Sequence, residues 1–363
     1  MKIVIVEPYD TGSHGQWMRG LQRHSRHQIT LLTLEGQFWQ WRLLGGAVTL
    51  AERFRRLELK PDLIVASDML DLTTFLALTR PTTHNIPAVI YFHENQLVYP
   101  QGPRQKLTDH YAFINYVSAL AAEAVVFNSK FHREAFFDEL PRLLKHFPDH
   151  NNLETIGRLS RRSYVLPVGV DLVSLDHLRP AATDDGPPII LWNHRWDFDK
   201  NPRSFLDAIT RLANEDLAFR VAITGENFRK EAQEFEKARK HLDNRIIQYG
   251  YLSSFTDYAK LLWDADSVVS TAIQDFFGIS IVEGMYCGCW PILPNRLNYP
   301  DLVPPAWHQT TLYATDEGLY HRLRERILAP HPTPGDFRSA VAGFDWQALV
   351  STYDQFFDEI ALF

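Results

Sequence analysis

Asp275 and Glu283 bracket the run Asp275-Phe-Phe-Gly-Ile-Ser-Ile-Val-Glu283, which is followed by a short apolar stretch from Trp290 to Leu293. If a helix begins at Gly278, its free N–H groups point at the loop that carries Asp275. A helix N-terminus combines unpaired N–H groups with a positive dipole end and so receives phosphate. Glu283 then lies about one and a half turns in. The arrangement suits a nucleotide-sugar: phosphates at the helix end, one carboxylate for sugar hydroxyls, another for a ribose. An ordinary strand-to-helix turn with two surface acids is the alternative.

Three further clusters carry chemistry-bearing side chains. Glu7-Pro-Tyr-Asp-Thr-Gly12-Ser-His-Gly15 follows the first apolar run, and its glycines let backbone approach a ligand closely. It is not the three-glycine dinucleotide fingerprint, so a nicotinamide cofactor is disfavoured. His93-Glu94-Asn95-Gln96 follows another apolar run. There His93 either bonds a sugar hydroxyl or holds a loop. Trp192-Asn-His194-Arg195-Trp196-Asp-Phe-Asp-Lys200 brings two cations onto one loop. Fixed Arg and Lys side chains stabilise a departing diphosphate without a metal. The Asp197-Phe-Asp199 triplet resembles a metal-binding acid pair but sits between those cations, and we read it as loop structure.

The elements that must position these residues alternate strand and helix. Lys2–Val6, Gln28–Leu34, Asp62–Ser67, Ala88–Phe92 and Ala124–Asn128 read as strands, separated by helical patterns such as Gln16–His24 and Ala47–Leu59. The second half repeats this with strands at Ile189–Trp192, Phe219–Thr224, Ile246–Gly250, Ser267–Ser270 and Trp290–Leu293, and helices such as Pro202–Asn214 and Ser254–Trp263. Such alternation implies parallel sheets covered on both faces. The expected organisation is an N-terminal domain over 1–170, a linker over 171–188 containing Asp184-Asp-Gly-Pro-Pro188, and a second domain over 189–344. An amphipathic C-terminal helix over 345–363 would cross back to the first domain. Ligands would bind at the strand ends, in a cleft between two doubly wound domains.

The net charge of -7 is unevenly spread: residues 1–170 hold 19 Lys+Arg against 16 Asp+Glu, and residues 171–363 hold 18 against 28. The basic half contains Arg142, Lys145, His146, Arg158, Arg161 and Arg162, either a solvated helix face or a polyanion-binding edge. Cys287 and Cys289 have no other cysteine with which to pair, and small core residues in a reducing, cytoplasmic setting are expected. No apolar run approaches the roughly 18 residues of a membrane span. Met1–Glu7 turns polar too soon for a signal peptide.

With these residues in hand, the chain resembles the glycogen-synthase-like retaining GT-B glycosyltransferases. The matching pieces are Gly12, Pro167-Val-Gly-Val-Asp171, Arg195 with Lys200, Gly225-Glu226, Gly250-Tyr-Leu252 and the acid pair Asp275/Glu283. The wider family usually has Glu where this chain has Asp275. More specific blocks resemble the tRNA-queuosine α-mannosyltransferase family: Glu7-Pro-Tyr…Gly12-Ser-His, Phe38-Trp-x-Trp-Arg42, Tyr91-Phe-His-Glu-Asn-Gln-Leu-x-Tyr-Pro100, Val126-Phe-Asn-Ser129, Pro148-Asp-His150, His194-Arg-Trp196…Asp199-Lys and Pro294-Asn-Arg-Leu-x-Tyr-Pro300.

The resemblance implies a GT-B fold of two Rossmann-like domains and a retaining, metal-independent transfer. The donor is a nucleotide-sugar, GDP-mannose first, with no cofactor beyond it. The acceptor is queuosine at the anticodon wobble position of tRNA, tRNA-Asp first. It implies catalytic work for His93, Arg195, Lys200 and Asp275. Donor binding falls to Gly12, Ser13, His194 and Gly225, with Phe277, Gly278, Ile279, Ser280 and Glu283 at the acid motif. The acceptor side takes His14, Glu94, Asn95 and Gln96, and a tRNA surface takes Trp39, Trp41 and Arg42 with Arg158, Arg161 and Arg162. Phe38 joins that aromatic group, unless its rings are core. No membrane and no obligatory protein partner are expected. The rival readings are a GT-B transferase for a saccharide or lipid acceptor, a non-catalytic tRNA-binding protein and a sugar-nucleotide epimerase.

Overall fold

The computed structural model describes residues 1–100, 109–181, 186–226, 233–328 and 337–362. It divides into two compact units, Met1–Val170 with Trp346–Phe363, and Asp171–Asp345.

The first unit holds a six-stranded sheet of β1 (Lys2–Asp10), β2 (Gln28–Glu35), β3 (Leu63–Ser67), β4 (Ala88–Phe92), β5 (Ala124–Phe127) and β6 (Ser163–Val165), in the order β2-β1-β3-β4-β5-β6. Every pairing is parallel. Central strands β3, β4 and β5 are buried along their whole length, which is why they read as unbroken Val, Ile and Ala runs rather than alternating ones. Val4, Val6, Ile64, Ile90, Phe92 and Phe127 join one apolar core with residues of the covering helices. Helix Leu72–Thr83 starts at Asp71, whose carboxylate accepts from Thr74 N, and helix Lys130–Lys145 starts at Ser129, which accepts from His132 N.

The helix expected at Ala47–Leu59 instead runs from Trp39 to Arg56. Gly45 and Gly46 break the helical reading of the sequence, but Gly46 is a packing choice: a Cβ there would lie 2.7 Å from Pro8. The aromatic run therefore opens this helix, behind Phe38 in the left-handed region at φ 52°. The final helix, Trp346–Ala361, packs in the same unit as β1 and β4. Its Tyr353 hydroxyl donates to Pro167 O at 2.8 Å and accepts from Trp17 Nε1 at 3.1 Å. A Cβ on Gly20 or Gly169 would come 2.1 or 2.4 Å from the Trp346 ring, so both positions must stay glycine for the helix to seat.

The second unit begins at Asp171 and includes a short helix, Val173–Asp176, inside the stretch read as a linker; residues 182–185 of that stretch lie outside the described residues. Its sheet comprises β7 (Ile189–Asn193), β8 (Arg220–Thr224), β9 (Ile246–Gly250), β10 (Ser267–Val269), β11 (Trp290–Pro294) and β12 (Leu312–Tyr313). The order is β12-β11-β10-β7-β8-β9, again parallel throughout. Two strands escape the sequence reading: β6, largely exposed at an edge, and β12, only two residues long.

Each sheet reverses its winding once, at β1 in the first unit and at β7 in the second. In doubly wound sheets the ligand crevice opens at that switch point, beyond the carboxyl ends of the strands. Those ends carry Glu7–His14 and His93 in one unit, and Asn193–Lys200 and Ser270–Gly278 in the other.

Candidate active site

In the second unit, β10 ends and the chain loops through Asp275 before helix Ile279–Tyr286. Gly278 caps that helix at φ 96°, in the region that favours glycine, and a Cβ there would press on Tyr299 at 3.2 Å. Asp275 Oδ2 lies 3.6 Å from Lys200 Nζ and accepts from the Tyr299 hydroxyl at 3.1 Å. Burial works to raise the Asp275 pKa, but Lys200 and His194 outweigh it and hold the carboxyl below its usual range.

Lys200 is itself buried. Its ammonium donates to Gln274 O at 2.7 Å and sits 3.3 Å from Asp199, so its charge is shared between two carboxylates. Asp197, by contrast, uses its carboxylate locally, accepting from Phe198 N at 2.8 Å. Arg195 is exposed.

His194 is buried, and desolvation followed by the Lys200 charge pushes its pKa down to about 4, so it is neutral at pH 7. Gly225 explains how the loops after β7 and β8 meet: at φ 126°, a Cβ on it would lie 1.8 Å from His194 O.

Glu283 faces Tyr258, whose hydroxyl donates to Glu283 Oε2 at 2.5 Å and accepts from Asn193 Nδ2 at 2.7 Å. The Thr224 hydroxyl completes the chain on Asn193 Oδ1 at 2.8 Å. Burial raises the Glu283 pKa to about 7 despite the Tyr258 bond.

One family-resembling block now has a mechanical reason. In Pro294–Pro300, Tyr299 bonds Asp275, Asn298 Nδ2 donates to Phe277 O at 2.9 Å, and Arg296 donates to Ala272 O at 3.0 Å. The block therefore clamps the Asp275 loop on three sides.

In the first unit, Gly12 opens helix Gly12–His24 at φ 49° and places Ser13 and His14 in its first turn. His14 Nδ1 and Glu7 Oε2 are 2.9 Å apart, and Glu7 Oε1 accepts from Tyr9 N at 2.8 Å. Burial opposes protonation of His14, yet Glu7, then Asp68 and Glu94, raise its pKa to about 9. The His93 ring lies 4.2 Å from that of His14 and is enclosed by Trp17 and Tyr91. Burial, then the His14 charge, holds His93 neutral. Its backbone N–H donates to Asp68 Oδ1 at 2.8 Å and its carbonyl accepts from Asn128 Nδ2 at 2.9 Å. The Phe127-Asn128-Ser129 block thus supports His93.

A carboxylate oxygen of Glu7 and ring nitrogens of His14 and His93 fall within 4.8 Å of one another, the spacing of a metal-ligand set. Glu7 and His14 satisfy each other directly, so Nδ1 carries the shared proton rather than a free lone pair, and the arrangement is a hydrogen-bonded dyad.

The other acceptor-side candidates separate. Asn95 Oδ1 is spent on Leu97 N and Val98 N, a local turn, while Gln96 Nε2 bonds Glu94 at 3.0 Å. Phe38 and Trp41 are not core: they are 76% and 65% exposed. Trp39 rests on the Tyr111 ring at 5.3 Å, and Arg42 Nε donates to Glu35 O at 3.0 Å, both just past the carboxyl end of β2. Arg158, Arg161 and Arg162 immediately precede β6, which in a parallel sheet is the opposite end from His14 and His93. Arg162 is also engaged, donating to Ala119 O and Leu120 O at the end of helix Asp109–Ala121. The expected single tRNA surface is therefore two separate regions of the unit.

Glu7, Asp68, Tyr258, Asn193 and Tyr299 are site residues that the sequence reading left without a role. Glu7 and Tyr299 lie in blocks already noted, so position relative to the strand end would have found them. Tyr258 sits mid-helix with no local signal.

Comparison with known proteins is informative over nearly the whole chain. The family described as tRNA-queuosine alpha-mannosyltransferase N-terminal matches residues 2–170, and the glycosyl transferases group 1 family matches residues 176–328. A tRNA-queuosine alpha-mannosyltransferase of Drosophila melanogaster is 31% identical over 329 residues, covering 88% of this chain and 85% of that relative. This chain belongs to the tRNA-queuosine α-mannosyltransferase family. It is a glycosyltransferase.

Solved structures agree on the fold. Anabaena HepE in complex with UDP superposes with a TM-score of 0.69 at 16% identity, over 99% of each chain. Sucrose-phosphate synthase of Thermosynechococcus elongatus gives 0.71 at 13% identity, also over 99% of each chain. The family shares the GT-B fold with these proteins, two doubly wound units each built on a parallel sheet.

Proposed function

We propose that the chain transfers a mannosyl group from GDP-mannose, with retention of configuration, to the cyclopentenediol of queuosine at the wobble position of tRNA-Asp. The near-full-length likeness to the Drosophila enzyme carries this reading. The donor is assigned to the second unit. The diphosphate would meet the N–H groups opened by Gly278, with Ile279 and Ser280, and the cations Arg195 and Lys200. Asp275 would hold sugar hydroxyls and Glu283 the ribose. With no side chain assigned as nucleophile, the departing phosphate oxygen takes the proton of the attacking hydroxyl on the same face as the new bond forms. Catalysis is then positioning and charge stabilisation. In this reading Lys200 and Arg195 do the electrostatic work that a metal does in other transferases.

The acceptor is assigned to the first unit, with His14 and His93 at the carboxyl ends of its strands. Phe38 and Trp41, just past the carboxyl end of β2, offer exposed rings on which an unstacked anticodon base can lie.

The test is direct. Purified protein is incubated with queuosine-containing tRNA-Asp and GDP-mannose, UDP-glucose or UDP-galactose, with and without EDTA, and the digested nucleosides are weighed. A queuosine heavier by one hexose, formed with GDP-mannose and in the presence of EDTA, is the expected result. No hexose from any donor would sink the proposal, and hexose only on another tRNA would correct the acceptor.

A further inference from the structure

We propose that the imidazoles of His14 and His93, with Glu7 fixing the first of them, form a clamp for a vicinal cis-diol, and that this diol belongs to the acceptor. The assignment to the acceptor rests on the reading above; the clamp itself rests on the geometry.

Among the described residues, both ring nitrogens of His93 and Asp68 Oδ2 are buried without a hydrogen-bond partner. Buried polar groups in native proteins are nearly always satisfied, so a polar ligand belongs here. His93 and Asp68 are 6% and 1% exposed, and neither is free to turn toward solvent. The two imidazoles stand 4.2 Å apart with opposite character. His14, held by Glu7 through Nδ1, is cationic and can donate through Nε2. Neutral His93 offers one acceptor and one donor. A diol has matching needs: one oxygen accepts from His14 while a neighbouring hydroxyl donates to His93.

Charge selects the ligand class. Glu7 and Glu94 face the His14 cation, and burial raises the Asp68 pKa well above the usual carboxylate range, so a phosphate or carboxylate would still meet net negative charge, whereas a neutral polyol would not. The Trp17 and Tyr91 rings, centred 4.9 and 4.8 Å from His93 and stacked on each other, hold the His93 imidazole in place. Both the acceptor's cyclopentenediol and the donor's hexose present such hydroxyls, and the experiment separates them.

The protein, as H14Q, E7Q and wild type, is titrated with tRNA-Asp carrying queuosine and with the same tRNA carrying guanine at that position, which lacks the ring. The wild type is expected to prefer the queuosine form by about tenfold or more, as a charge-assisted bond in a buried site allows. Both variants should lose that preference while binding the guanine form unchanged and keeping the donor KM. The wild-type preference should also fade above about pH 9, as His14 loses its proton. Thermal melts identify any variant that fails to fold, and H14Q, which keeps Glu7 in place, is the more conservative arm. A preference that survives in folded H14Q, or a loss that appears in donor KM, overturns the proposal. So does tight binding of zinc alone that H14Q and E7Q abolish. These binding readouts stand even if no hexose is transferred, so failure of the proposed function and failure of the clamp are told apart.

Discussion

The Tyr258 hydroxyl donates to Glu283 Oε2 at 2.5 Å and is itself held by Asn193 Nδ2 at 2.7 Å. Glu283 therefore depends on a residue from another helix for its remaining ionised character, because burial has already lifted its pKa to about 7. In Tyr258→Phe the bond that lowers the pKa is gone, so more of Glu283 is protonated at neutral pH. We expect donor KM at pH 7 to rise by roughly tenfold, with its pH dependence moved toward alkali. Donor KM measured from pH 6 to 9 checks this. An unchanged pH dependence would show that Tyr258 only fills space.

The same carboxyl sets a stability trade. Its folded pKa of about 7 lies above the ordinary 4.5, so its contribution is fully present below pH 4.5 and is lost as pH rises through 7. Glu283→Gln carries no such loss. Relative to wild type, the variant should gain on the order of 2 kcal/mol between pH 5 and pH 8 while losing donor binding. Denaturant unfolding at the two pH values reads the first effect and donor titration the second. A constant difference across pH would contradict the assignment.

Lys200 is predicted to be structural as well as functional. Removing it in Lys200→Met leaves the buried Asp199 and the half-buried Asp275 without their shared cation, at a cost of about 3–5 kcal/mol. Asp275→Asn leaves Lys200 paired with Asp199 and should cost much less stability, yet lower kcat by roughly 10²–10³-fold if Asp275 orders the transition state. Melts and single-turnover rates of the two variants check the contrast. Asp275→Glu, which restores the wider family's residue, should shift relative kcat/KM among GDP-mannose, UDP-glucose and UDP-galactose.

Much of this was legible in the sequence, for a physical reason. Strands buried on both faces read as apolar runs, so the sequence bounds of Ala88–Phe92 match the observed ones. Edge strands lack that signal: β6 has no buried residue and β12 is too short to show a pattern. The acid motif announced itself because Gly278 and Glu283 are local to one helix. The partners that tune it are not local. Tyr258 and Asn193 reach Glu283 from sequence distances of 25 and 90 residues, and only the fold brings them together. The arginines before β6 show the same limit, since composition marks a basic segment but cannot say at which end of a sheet it lies.

Gly225 is predicted to be irreplaceable. With φ at 126° and the His194 carbonyl 1.8 Å from any Cβ, Gly225→Ala cannot be relieved by a side-chain rotation. The loops after β7 and β8 must part, displacing His194 and the Asn193–Thr224 bond. A loss of more than about 3 kcal/mol is expected, together with donor affinity. Gly250→Ala is the control: its φ of 98° is equally unfavourable, but no atom lies within 4 Å of the added Cβ, so its cost should stay near the conformational penalty alone. Equal costs at the two positions would show that the His194 contact is not the determinant.

The two regions offered to tRNA should behave differently. Phe38 and Trp41 are exposed and sit beside the carboxyl end of β2, so replacing either with Ala removes no core contact. Stacking of an unpaired base on an aromatic ring contributes roughly 1–3 kcal/mol, so tRNA KM should rise about 5- to 100-fold with melting temperature held. Arg158 and Arg161 lie at the amino ends of the strands, the opposite end from His14 and His93. Their reversal to Glu should reduce the salt slope of tRNA binding by about one per contacted phosphate and leave the discrimination of queuosine from guanine intact. Binding isotherms at two or more salt concentrations for W41A and for R158E/R161E resolve the two. An unchanged tRNA KM in W41A would remove the aromatic platform, and lost queuosine discrimination in R158E/R161E would place the wobble base at the wrong end of the sheet.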